Sequence, residues 1–143
     1  MSNPRGTAAT AGHPVHQMLI PFPMAFFVAA FICDLAFWAT SNPAFATGSI
    51  WLIGAGVIAC AVVPVAGLAE AFGDRRIRGL NDACWQAGVH VVVVLIGSYN
   101  WYIRYSAEIA AVIPEGVILS FVAVCLLLFT GWKGWQMAHG SAR

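Results

Sequence analysis

No charged residue stands between Asp34 and Glu70, between Asp82 and Arg104, or between Glu115 and Lys133. Water-filled surfaces need charges at short intervals, so stretches of this length cannot coat a soluble domain. A helix of about 20 apolar residues spans roughly 30 Å of hydrocarbon, and these stretches have that length. With 60% hydrophobic and only 9% charged residues, against about 25% charged in soluble domains, the chain reads as an integral membrane protein. Its formal net charge of +1 gives no basic footprint for nucleic acid.

The turn chemistry of Thr40-Ser41-Asn42-Pro43 divides the first charge-free stretch. Four spans follow, over residues 20–40, 49–71, 84–105 and 114–137. The expected fold is an all-α, integral membrane four-helix bundle with both termini cytoplasmic. It has an N-terminal segment over 1–19, a transmembrane domain over 20–137 and a short tail over 138–143. Pro21 and Pro23 start or kink the first span, Pro64 kinks the second, and Pro114 with Glu115 suits a first helical turn. Ala44-Phe45-Ala46 has the small-residue pattern of a signal cleavage site. The apolar run before it is longer than a signal h-region and lacks a basic flank, so it reads as a retained span.

Aromatic residues prefer the membrane–water boundary. Trp38, Trp51, Trp101, Tyr102 and Tyr105 fall at one end of the four spans, and Trp85, Trp132 and Trp135 at the other. Arg5, Arg75, Arg76, Arg78, Lys133 and Arg143, six of the seven basic residues, share the end that carries both termini. The positive-inside rule makes that end cytoplasmic.

Polar groups inside the bilayer must find partners. At 1.5 Å per residue, Asp34 lies about 9 Å inside the outer end of span one, and Asn100 and Arg104 lie at similar depth on span three. An Asp34–Arg104 pair, with Asn100 as a further donor, would clasp the two helices. A proton relay would need further ionisable steps toward mid-membrane, and the sequence offers none. Transport would also need oligomerisation of so short a chain.

His13, His16, His90 and His139 all fall at the cytoplasmic end, and Glu70 arrives there at the end of span two. Three uses fit. Haem b could take His90 with His16 or His13 as axial ligands, Glu70 orienting an imidazole. Gly97 and Trp101, seven and eleven residues after His90, would then offer a small and an aromatic position to a flat ring. A zinc, iron or copper ion could sit on His13, His16, His90 and Glu70. The histidines could also simply cap helix ends, as His139 does in this reading. Cys33, Cys60, Cys84 and Cys125 lie one per span without a CxxC, which excludes zinc ribbons, thioredoxin chemistry and c-type haem and leaves them as small buried hydrophobes. Small residues on span two, among them Gly54, Gly56, Ala59 and Gly67, permit close helix packing or a homo-oligomer.

Gly12-His13-Pro14-Val15-His16, then Ile20-Pro21-Phe22-Pro23 and Phe31-Ile32-Cys33-Asp34-Leu35, resemble the opening of the "domain of unknown function 2231" family of bacterial membrane proteins. Gly67-Leu68-Ala69-Glu70, His90 and Asn100-Trp101-Tyr102-Ile103-Arg104 are similar to its later landmarks. Gln17 and Glu70 depart from the family's usual Pro and Asp. The resemblance implies a four-helix membrane domain. Because some relatives look joined to Rieske-type or other redox domains, it also implies a role in electron transfer, with a redox partner subunit.

Overall fold

The structure, a computed structural model, describes residues 9–10, 13–14, 18–73 and 80–140, with side chains described over 18–66, 84–136 and at 140. Apart from a two-residue antiparallel pairing of β1 (Ala9–Thr10) with β2 (His13–Pro14), the described chain is helical. Its long helices are α1 (Pro21–Thr40), α2 (Pro43–Gly73), α3 (Leu80–Ala107) and α4 (Val117–Gly140).

The link between α1 and α2 is two residues. Ser41 takes the left-handed conformation (φ 54°) and its N–H closes on Phe37 O at 2.7 Å, the usual way for a helix to end. Asn42 then caps α2, its Oδ1 accepting from the Ala44 N–H at 3.0 Å, and Pro43 occupies the first helical position, where its missing N–H costs nothing. This cap starts α2 six residues earlier than the expected 49. Pro64 lies inside α2, which continues past it.

Three segments are long and apolar enough to cross a membrane: 21–40, 43–66 and 84–136. The third, 53 residues long, is folded back on itself. Asn100 Nδ2 donates to Ser120 Oγ at 3.1 Å, although 20 residues of straight helix would separate them by about 30 Å. The reversal uses a 3-10 turn over Glu108–Ala111, which follows Ala107 and opens with Glu108 at φ 51°, and a wider turn over Val112–Gly116. Ile113 is extended (φ −123°, ψ 127°) because the ring of Pro114 disfavours helical geometry at the residue before it. Pro114, joined through a cis bond, therefore precedes α4 instead of opening it, and the helix starts at Val117.

The interior is made of few and mostly small side chains. Phe27 and Ala30 of α1 meet Ile53 and Cys60 of α2, Val89 and Val93 of α3, and Ala123 and Leu127 of α4. Phe37, Ala46 and Val112 form a second cluster near the reversal. The outside carries Ile58, Val65, Leu95, Phe121 and Leu128 exposed, while Asp34, Ser49, Asn100, Arg104 and Ser120 are buried. That is the inverse of a soluble protein and suits lipid as the surrounding solvent.

Gly97 is where three helices come closest. A Cβ there would lie 2.7 Å from Val57 Cγ2 and 3.0 Å from Phe27 Cζ. Gly97→Ala is expected to destabilise the bundle by about 1–2 kcal/mol through overpacking. Unfolding in mixed detergent and SDS micelles measures it. Val57 is β-branched and Phe27 fully buried, so neither yields freely.

Candidate functional site

Two polar regions lie at opposite ends of the bundle, and one register places both. Phe27 packs against Gly97 and Asp34 binds Arg104, each pair 70 positions apart. α1 and α3 are thus parallel and in step, and the same offset sets Ile20 level with His90.

At the end that holds the chain reversal, the guanidinium of Arg104 grips Asp34 with both terminal nitrogens, Nη1–Oδ1 at 2.5 Å and Nη2–Oδ2 at 2.7 Å. Neither side chain is exposed at all. Ser49 of α2 donates to Asp34 Oδ1 and accepts from Arg104 Nη1 at 2.8 Å. Arg104 Nε donates to Asn100 Oδ1 at 2.7 Å. Asn100 Nδ2 in turn donates to Ser120 Oγ and to the Gly116 carbonyl, at 3.1 and 3.3 Å, and Arg104 Nη2 reaches Ser120 Oγ at 3.2 Å. All four helices contribute, the charges cancel, and among the described residues no buried side-chain polar atom lacks a partner. In such a network every buried side-chain nitrogen and oxygen already has a partner inside the bundle. Its chemistry is that of a fastener.

The sequence names Asp34, Asn100 and Arg104 but misses Ser49, Ser120 and Gly116. A glycine is required at 116, because a Cβ there would stand 2.7 Å from both Arg104 Nη2 and the Ala111 carbonyl oxygen.

At the other end, His90 lines a half-open cavity of about 320 Å³. Ile20, Pro21 and Met24 close it on the α1 side, and Gln86 lies one turn before His90 on α3. On α4, Gly131 and Gly134 leave room, and Trp135 adds an aromatic wall. Thr130 also lines it, but its hydroxyl turns back to the Leu126 and Leu127 carbonyls.

The tautomer of His90 follows from its partner. Nδ1 lies 2.8 Å from the Gln86 carbonyl, which only accepts, so Nδ1 carries the hydrogen and Nε2 of the neutral ring keeps its lone pair. This is the arrangement that prepares an imidazole for a metal. The Cys60 thiol donates to the His90 carbonyl, which ties the backbone here to α2.

The remaining expected site residues are distributed otherwise. Gly97 is absent from the cavity lining, and the room it opens is filled by Phe27 and Val57. Gly97 packs against α1 and α2, and farther along the same face the Trp101 indole lies against Gly54 and stacks on Tyr105 at 5.8 Å. His16 and the side chains of His13, Glu70 and His139 lie outside the described residues; the backbone of His13 pairs with Thr10. Among the described residues no group of three or more His, Cys, Asp and Glu could hold a metal ion. Of the four cysteines only Cys60 is buried; Cys33 is half-buried, and Cys84 and Cys125 are exposed on the apolar exterior. The cavity itself is not legible from sequence, because the partner that orients His90 is the backbone carbonyl of residue 86, which any residue type supplies.

The chain matches, over residues 12–142, the family model described as "Predicted membrane protein (DUF2231)". No curated protein and no solved structure matches it.

Proposed function

Because the chain belongs to the DUF2231 family of predicted membrane proteins, we propose that it crosses a bacterial inner membrane four times, with both termini cytoplasmic, as a small electron-transfer subunit that holds haem b at His90. The observation that carries this reading is the 2.8 Å approach of His90 Nδ1 to the Gln86 carbonyl, with the ring on a cavity. Nε2 would ligate the iron, and His16 or His13 would supply the second imidazole. Ile20 lines the same cavity as His90, and His16 stands four residues before it, a reach of about 13 Å even for extended chain. Glu70 would orient one of the imidazoles. The bound group would supply one-electron chemistry; the chain supplies the ligands, the apolar wall and a rigid outer end.

Purified from haem-replete cells, the protein is expected to show a Soret band and a sharp reduced α-band, both abolished by His90→Ala with the fold intact. A colourless preparation rejects the reading. Reporter fusions at both termini and within 108–116 test the four crossings and their orientation. Activity at the termini together with inactivity at the reversal is the expected pattern.

The size of the cavity favours a second reading. About 320 Å³ is at the low end for small-molecule sites, so the bundle could instead be a non-catalytic one that takes a metal ion, a lipid or a partner subunit there. One equivalent of zinc or copper by elemental analysis, lost in His90→Ala, distinguishes the metal version.

A further inference from the structure

We propose that Lys133, held over the rings of Trp85 and Phe129, binds the phosphate of one anionic phospholipid at the end of the bundle that carries the His90 cavity. The proposal does not rest on what occupies that cavity.

Depth is the first observation. Trp85 and Tyr105 lie on the one helix α3 at a separation of about 30 Å, which equals the usual hydrocarbon thickness. Tyr105 stacks on Trp101 among the exposed aromatics of the outer belt. With that belt at one boundary, Trp85 stands at the other, where headgroups begin.

The second observation is the state of the Lys133 ammonium. It sits 5.4 Å from the Trp85 ring centroid and 5.7 Å from that of Phe129. Cation–π contacts position a charge but accept no hydrogen bond in the ordinary sense, so the three N–H donors still need oxygen acceptors. Among the described residues the only ion pair is Arg104–Asp34, so none of their carboxylates serves Lys133. Trp85 and Trp132 flank it, 45% and 68% exposed, and an indole N–H is a donor that also seeks an acceptor at this level. A pre-positioned cation with donors beside it at headgroup depth is complementary to a phosphate. An anionic lipid satisfies it better than a zwitterionic one, whose own ammonium competes for the same phosphate.

The test uses the full chain, delipidated in detergent and offered equimolar phosphatidylglycerol and phosphatidylcholine, with retained lipid read by native mass spectrometry. The wild type is expected to retain one phosphatidylglycerol in preference. Lys133→Gln should lower that preference about fivefold, the effect of one basic residue at an anionic surface, and Lys133→Arg should keep it. Equal retention of the two lipids by the wild type, or an undiminished preference in Lys133→Gln, overturns the proposal. A salt titration of the wild type gives a readout that needs no variant. The preference must fall as ionic strength rises, and a salt-independent preference also overturns it.

Discussion

Arg104→Met destabilises the bundle by about 3–5 kcal/mol, while Arg104→Met combined with Asp34→Leu recovers most of that loss. The single change leaves Asp34 as an unpaired carboxylate with no exposed surface, and breaking a buried ion pair from one side typically has this cost. It also strips Asn100, Ser49 and Ser120 of a partner each. Replacing both charges with apolar side chains of similar volume removes the desolvation problem, and such exchanges are often neutral or stabilising. The measurement is a double-substitution cycle in mixed detergent and SDS micelles. If the double variant is as unstable as the single one, the clasp is holding the helices by geometry that apolar packing cannot replace.

Gly116→Ala is the second large effect, about 3 kcal/mol, at the upper end for overpacking. Unlike at Gly97, where only side chains obstruct, one of the atoms in the way is backbone. One is the Ala111 carbonyl oxygen, part of the reversal's own backbone, and the other is the Arg104 guanidinium, fixed by Asp34, Asn100, Ser49 and Ser120. The added methyl must therefore displace either the turn or the ion pair. Gly116→Ala in the Asp34→Leu/Arg104→Met background separates the two. A cost that shrinks there locates the clash at the guanidinium, and an unchanged cost locates it at the turn.

The parts of this fold that lipid dictates were legible in the sequence. Asp34 and Arg104 were paired by depth alone, since a charge in hydrocarbon must be neutralised and few opposite charges share its level; the structure brings those two side chains together. Ser49 was hidden by a boundary. With span two expected from 49, that serine stood at a helix end, whereas the Asn42 cap and Pro43 start α2 earlier and carry Ser49 more than a turn inside. Pro114 shows a competition between two effects of one residue. Proline suits a first helical position, but it also expels its predecessor from helical geometry, and at Ile113 the second effect prevailed. The sequence offers Gly97 as room for a flat ring, but spacing along one helix cannot say what fills the space. Phe27 and Val57 come from two other helices.

The parallel register of α1 and α3 has a mechanical consequence. One end of the molecule is stitched by a polar network of all four helices around the Asp34–Arg104 pair and by a two-residue link, while the other carries a half-open cavity. Loads on such a body do not spread evenly. Amide exchange is therefore expected to be slowest around Arg104 and to quicken toward Gln86.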